Sequence, residues 1–403
     1  MDDSLTIPKV ISVDDHAVEP PDLWTSAAPA RIKDRVPRVE RANARFGWSG
    51  GKHVVERRPD GDACDFWLYE DYEWPFSQTF ASVGVEEVDN VPTNYDIIRP
   101  GAWIQSERLR DMDDDGVEAA LCFPNTLPRF CGQTFSERTD KDLSFWCLQT
   151  YNDWIIDEWG GGAGRNRLLP AVIVPFWDVD LAVRELERCT AKGAVALSFS
   201  ENPANLGFPS LHTGHWDKLF AACEETRSTV AMHIGSGSRV YATSDDSPFI
   251  VSSCMLFVNP MGSILDFVFS GTLERFPRLK LIYLEGQAGW VPYVFERADK
   301  LWAERGNNAF GSDLKNKPSS YMADNVFHCI FDDDTGLRMR DVVGMDQICF
   351  ETDYPHPDGS FPNTRSTVEK MCTANGLNQA EVDKLTRLNA IRALGLERFG
   401  FTS

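Results

Sequence analysis

Short apolar runs alternate with stretches of helical spacing along most of this chain. The first run occupies residues 9–13 and ends in Val10-Ile11-Ser12-Val13. Seven more follow, at Glu118–Pro124, Leu168–Pro175, Ala194–Phe199, Thr229–His233, Leu279–Leu284, Asn325–Phe331 and Gln347–Phe350. Runs this short, rich in β-branched and aromatic side chains and bounded by turn formers, are expected to be strands. Between them, Asp178–Lys192 puts Leu181, Val183, Leu186 and Cys189 mainly on one side of a helix. Further helices are expected through Trp216 to Glu225, over Trp290–Glu304, and over Asn378–Leu396 with Asn378 as N-cap. Met255–Phe276 reads as one buried apolar helix interrupted near Pro260 and Gly262, and Asp111–Gly116 as an acidic turn.

Eight strands, most followed by a helix, are the pattern of an α/β fold of the (β/α)8 TIM-barrel type. Residues 1–403 then form a single barrel domain. Residues 24–105 are too long for one connection between a strand and a helix, so they read as an insertion after strand one. They are rich in Arg, Gly, Trp and Pro, as in Phe46-Gly-Trp-Ser-Gly-Gly51 and Tyr72-Glu-Trp-Pro-Phe76. Such an insertion is expected to cap the barrel mouth or to touch a partner subunit. The chain shows no internal repeat and no low-complexity segment.

A hydrophobic fraction of 42% supports a sizeable core. The formal net charge of -21 argues against nucleic acid and anionic membrane as partners, because both would be repelled. It leaves an anionic small molecule open, since a metal or a local Arg sets the field inside a pocket. Ten cysteines with no CxxC pair, several inside apolar runs (Cys122, Cys329, Cys349), read as buried free thiols in a reducing cytoplasm. No apolar segment is expected to approach the roughly 20 residues that span a bilayer.

The chemistry gathers where the strands end, because side chains at the C-terminal ends of barrel strands converge. Asp353 follows the run Gln347–Phe350 and precedes a Pro-broken loop. Strand one leads into Asp14-Asp15-His16, strand five ends at His233, and strand six ends at Glu285. Asp14 and His16 are two apart and project from one side of an extended chain. Two imidazoles and two carboxylates suit one divalent metal, zinc first and manganese second. Each residue also has a plain structural reading. Asp15 reads as a surface residue or as support for the site, and Glu19 as a cap on backbone groups or a neighbour of the metal. His328 falls mid-strand and reads as core, while His53, His212 and His215 receive no role.

Taken together, these marks resemble the amidohydrolase superfamily, in particular the branch that includes aminocarboxymuconate-semialdehyde, resorcylate and salicylate decarboxylases. They are Ile11–Pro20, Arg110–Val117, His233-Ile-Gly235, Gly286–Pro292, Thr352-Asp-Tyr-Pro-His356 and Asn389–Gly395, and the likeness covers most of 8–24 and 105–398. The resemblance implies Asp14, His16, His233 and Asp353 as metal ligands, with Asp14 standing where many members have His. It implies Asp353 as acid or base. It departs at strand six, where Gly286 aligns with a working His of the muconate-semialdehyde enzymes and Glu285 is the nearest substitute. His356, in the Asp353 loop, is a third acid/base candidate.

The leading expectation is a metal-dependent nonoxidative decarboxylase of an aromatic or ring-cleavage carboxylate, with Asp353 or a metal-bound water supplying the proton. The alternative is a metal-dependent hydrolase of an amide, lactone or ester. A non-catalytic barrel serving binding or assembly is the third reading. Arg239 is a candidate for a second substrate carboxylate, and Trp24, Phe123 and Trp290 for apolar pocket walls. A cytoplasmic homodimer or higher homo-oligomer is expected.

Overall fold

A computed structural model describes residues 5–49, 52–244, 246–305 and 313–402. Strand β1 (Val10–Ala17) is followed by four antiparallel strands, β2 (Arg38–Ser49), β3 (Lys52–Arg57), β4 (Asp62–Tyr69) and β5 (Tyr72–Pro75). Seven further strands follow: β6 (Val117–Pro124), β7 (Leu168–Val172), β8 (Ala196–Phe199), β9 (Thr229–His233), β10 (Leu281–Leu284), β11 (Val326–Ile330) and β12 (Ile348–Phe350). Strand β1 and β6 to β12 form one parallel sheet in chain order, so each strand neighbours the next strand of that sheet. The ends of β12 and β1 are joined by backbone bonds rather than a regular ladder. The amide of Asp353 donates to the Asp14 carbonyl at 3.0 Å, and that of His16 to the Tyr354 carbonyl at 2.7 Å. The sheet is a near-closed barrel, as the alternation of runs predicts.

Helices at Gln105–Asp115, Lys141–Trp154, Val179–Lys192, Asp217–Thr226, Val258–Phe269, Val291–Arg305 and Thr364–Ala374 surround the barrel. Asp178 caps its helix through the Leu181 amide, and Asn378 forms a reciprocal capping box with Glu381. Three expectations need correction. Asp111–Asp115 is the last turn of a helix, not a free turn; Gly116, at φ +78°, ends it. Two of its four acids are buried: Asp111 receives Arg99 and the Tyr354 hydroxyl, and Asp115 receives the Thr364 amide, while Asp113 and Asp114 stay exposed.

The apolar stretch 255–276 is not broken at Pro260 or Gly262. Both lie in the first turns of Val258–Phe269, and the breaks fall at 255–257 and Ser270-Gly271. Proline is tolerated there because the first turn has no intrahelical acceptor for its missing N–H. With the short helix before it, Phe249–Phe269 is also a 21-residue segment long and apolar enough, by length and composition, to cross a membrane, contrary to expectation. Ser263, Ile264, Phe267 and Val268 nonetheless pack inward, as in a helix of the barrel's outer layer.

Ile11, Val13, Ala119, Leu121, Phe123, Ala231, Leu284, Phe327 and Cys349 belong to the interior cluster, and Ala390, Ile391, Ala393 and Leu394 join it from the last helix. Thr229 and Ile348, the first residues of their strands, bond to this helix, so it closes the N-terminal end of the barrel. The opposite end is approached by the insertion. Asp65 of β4 accepts the Tyr95 amide at 2.9 Å, and Trp67 packs edge-on to Trp24 with centroids 5.1 Å apart. The amides of Ser82 and Val83 donate to the carbonyl of Pro355, at 2.8 and 3.3 Å, beside Asp353.

Candidate metal centre

A β-bulge builds the first part of the site. Between Ser12 and Asp15, β1 uses three residue steps against two on β6, from Ala120 to Cys122. The extra residue shifts the alternation of side chains. Ile11 and Val13 fill the barrel, yet Asp14 and His16 also turn inward, while Asp15 turns to the fully buried guanidinium of Arg108 at 3.2 Å. Asp15 is therefore a support, not a surface residue. Arg108 also donates to the carbonyls of His16 and Gly101, fixing the backbone that carries the site.

The ring orientations of His16 and His233 follow from their backbone partners. Nδ1 of His16 lies 3.3 Å from the Pro124 carbonyl, and Nδ1 of His233 lies 2.6 Å from the Ile234 carbonyl. A carbonyl only accepts, so each Nδ1 carries the hydrogen and each Nε2 presents a lone pair. Those two Nε2 atoms face each other at 3.1 Å. Oxygens of Asp14 lie 3.6 Å from one and 3.4 Å from the other, and Asp353 Oδ1 lies 3.6 Å from His16 Nε2. Two nitrogens each about 2.0–2.1 Å from a metal, at an angle of about 90–110°, would be roughly 3.0–3.4 Å apart. All four carboxylate oxygens of Asp14 and Asp353 are buried without a hydrogen-bond donor. Lone pairs turned on lone pairs beside unpaired carboxylates are what a divalent cation relieves, so the residues fit a metal. Burial lowers both imidazoles below their ordinary range and, with nearby acids, raises both aspartates well above theirs.

Asp353 and Glu285 both take left-handed backbone angles, φ +47° and +51°, where the chain leaves β12 and β10. Such conformations are uncommon for residues with a Cβ and turn the side chain sharply from the strand direction. Glu285 thereby reaches to 3.7 Å from His233 Nε2 and 3.8 Å from His356 Nδ1. Burial alone would raise it, but these imidazoles hold it at about 2. His356 Nδ1 lies 3.0 Å from Asp353 Oδ1, which makes His16, Asp353 and His356 a second donor group overlapping Asp14, His16 and His233. Gly286, where relatives of the expected branch have His, sits against Tyr283. The imidazole near Asp353 comes from the strand-eight loop instead.

Of the expected pocket walls, Phe123 is at the centre, 6.1 Å from the rings of His16 and His233. Trp24 is fully buried between insertion and barrel and donates to the Cys147 carbonyl at 2.8 Å. Trp290 packs edge-on against His328 behind the strands, and Arg239 is exposed in the loop after β9. These three are not brought to the cluster of His16, His233, Asp14 and Asp353. Glu19 is a cap: it accepts the amides of Asn125 and Thr126 at 3.0 and 2.9 Å.

Four contributors were not singled out from the sequence. Glu201 ends β8 and accepts the amides of Gly235 and Gly237 just after His233; burial raises it to about 8. Glu351 is buried beside Cys329 and is raised to about 8 by burial and by Glu285. Phe130 stacks on His233 with centroids 3.9 Å apart, and Phe80 of the insertion lies 6.3 Å from His356. Glu201 obeys the same strand-end rule that selects Glu285. Phe80 and Phe130 carry no local signal, because loops bring them in.

A family model described as Amidohydrolase matches residues 96–396. A 2-amino-3-carboxymuconate-6-semialdehyde decarboxylase of Dictyostelium discoideum is 21% identical over 276 residues, covering 66% of this chain and 70% of that protein. An amidohydrolase of Mycobacterium avium subsp. paratuberculosis K-10 superposes with a TM-score of 0.70 at 20% identity, covering 96% of this chain and 99% of the other. A dihydroxybenzoic acid decarboxylase of Polaromonas sp. JS666, with bound manganese and 2-nitroresorcinol, gives 0.63 at 18% identity, covering 97% and 98%.

Proposed function

This chain belongs to the amidohydrolase family, and on that premise we propose that it is a metal-dependent nonoxidative decarboxylase of an aromatic or ring-cleavage carboxylic acid. The observation that carries the reading is the pair of facing Nε2 lone pairs enclosed by the unpaired carboxylates of Asp14 and Asp353. His16, His233, Asp14 and Asp353 would hold one divalent ion, zinc or manganese. When bound, that ion supplies positive charge that orients and polarises an anionic substrate. The similar decarboxylases of Dictyostelium and Polaromonas support the choice of reaction.

The chain's own residues then have defined tasks. Phe123, Phe130 and Phe80 surround the imidazoles and offer faces to a flat ring. The bond between the ring carbon and the carboxylate breaks, its electron pair stays on the carbon, and carbon dioxide leaves. Asp353 delivers a proton to that carbon, with His356 as its partner for recharging and the Glu285 carboxylate beside that imidazole. The insertion 24–105 acts as a cap that limits entry of water. Cytoplasmic location fits ten free thiols, nine of them buried. A homodimer or higher homo-oligomer is the expected assembly, and the exposed Val240, Tyr241 and Ile250 are apolar side chains available to a second copy.

One observation favours hydrolysis of a neutral amide, ester or lactone. Among the described residues no Lys or Arg pairs with Asp14, Glu285, Glu351 or Asp353, so the centre is rich in acids. A panel of aromatic acids and lactones in labelled water separates the two. Carbon dioxide release without incorporation of solvent oxygen is expected. Incorporation with no carbon dioxide would replace the decarboxylase reading by the hydrolase one.

A further inference from the structure

Asn125 lies just beyond β6 and is 2% exposed. Its backbone amide is held by Glu19 at 3.0 Å, and its side-chain Nδ2 donates to the carbonyl of Phe80 at 2.7 Å. A carbonyl only accepts, so the insertion dictates which way round the Asn125 amide sits. The flipped amide would set two oxygens against each other. Oδ1 is thereby turned away from Phe80, and it meets Nε2 of His356 at 2.8 Å. An amide oxygen also only accepts, so Nε2 carries a hydrogen. The remaining nitrogen, Nδ1, is the one that lies 3.0 Å from Asp353 Oδ1 and 3.8 Å from Glu285 Oε1.

We propose that Asn125 is a positioning residue, anchored by the Phe80 carbonyl of the insertion, that locks His356 with its hydrogen on Nε2 and so presents the Nδ1 lone pair to Asp353 and Glu285. The chain of constraint is Phe80 carbonyl, Asn125 amide, His356 Nε2. A second hold comes from Ser82 and Val83, whose amides bond to the carbonyl of Pro355, the residue before His356. The insertion is thus more than a cover. It sets the tautomer of the ring that lies beside Asp353. The tautomer itself is independent of the reaction; only the use made of Nδ1 rests on the decarboxylase reading.

The test uses full-length protein labelled with 15N-histidine, zinc-loaded and also chelator-treated. Long-range 1H–15N spectra report which nitrogen of each ring bears hydrogen, and the His356 signals are assigned by their loss in His356→Gln. The wild type is expected to show a protonated Nε2. Asn125→Leu is expected to give a mixture of tautomers, because neither the acceptor for Nε2 nor the anchor to the Phe80 carbonyl remains. A wild-type ring with its hydrogen on Nδ1 alone, or an unchanged ring in Asn125→Leu, overturns the proposal. With a turned-over substrate, Asn125→Leu is expected to lower kcat about 10-fold or more with KM and metal content little changed, the scale of impaired acid–base catalysis. Unchanged kcat despite a mixed tautomer overturns the use of Nδ1 alone. If no carboxylate is turned over by the wild type, the decarboxylase reading fails while the spectra still decide the tautomer.

Discussion

Asp353→Asn is expected to move thermal stability in opposite directions with and without metal. The substitution keeps the shape and the backbone bond from residue 353 to the Asp14 carbonyl. It removes one charge from a buried position that also faces Glu285 and Glu351. Burial and those acids raise the Asp353 carboxyl well above its ordinary range. In the unfolded chain it ionises near pH ~3.9, so the unfolded state releases its proton first and metal-free stability falls as pH rises above that value. Asparagine has no proton to lose. Metal-free Asp353→Asn should therefore melt higher than metal-free wild type at pH 7, and the difference should vanish below about pH 3.5, where the unfolded carboxyl is protonated too.

Metal reverses the order. At about 2.1 cal/mol/K per residue, a 403-residue chain has an unfolding entropy of about 0.85 kcal/mol/K. A metal at about 1,000 times its Kd adds about 4 kcal/mol, or about 5 °C. If the lost ligand costs about 100-fold in affinity, the same metal concentration adds about 1.4 kcal/mol, or about 2 °C. The assay is thermal unfolding of chelator-treated protein with and without added zinc or manganese, read as the difference between the two midpoints. Equal metal-induced shifts in the two proteins, or a lower metal-free midpoint in the variant, would refute the assignment of Asp353 as a buried anionic ligand. Activity gives a second axis: a loss of about 100-fold or more is expected for an acid/base group.

His16→Asn and His233→Asn should each abolish stoichiometric metal in elemental analysis while leaving a folded barrel; metal retained at one ion per chain in both would sink the donor set. Arg108→Met leaves Asp15 buried without its counter-charge, so a loss of about 3–5 kcal/mol, or roughly 4–6 °C, is expected in thermal unfolding. Adding Asp15→Leu should recover a large part of it, and failure to do so would mean the ion pair is not what the substitution damages. Ile250→Asp should convert a wild-type dimer to monomer in light scattering without loss of metal; an unchanged mass would place the interface elsewhere.

The barrel was legible because its cause is local. Each strand is a short apolar run, each helix has its own spacing, and caps such as Asp178 and Asn378 announce themselves beside the helices they start. The strand-end rule also reached Asp14, His16, His233, Glu285 and Asp353, since convergence at one end of a parallel barrel follows from topology alone. The same reasoning could not place Trp290 or Arg239, because which face of a connecting segment turns inward is decided by what packs against it. Nor is the burial of Asp111 and Asp115 legible locally, because their partners, Arg99, Tyr354 and Thr364, include groups distant in sequence.

The sequence by itself determined the fold class and the chemical character of the centre, two imidazoles among carboxylates at strand ends. Only the tertiary structure decided how those groups work together. The β1 bulge turned both Asp14 and His16 inward, backbone carbonyls chose the nitrogen each imidazole presents, and left-handed residues swung Glu285 and Asp353 towards His356. The physical reason is range. Propensity and periodicity act over a few residues, whereas a lone pair's direction depends on acceptors that the chain delivers from far away, as Pro124 is to His16 and Phe80, through Asn125, to His356.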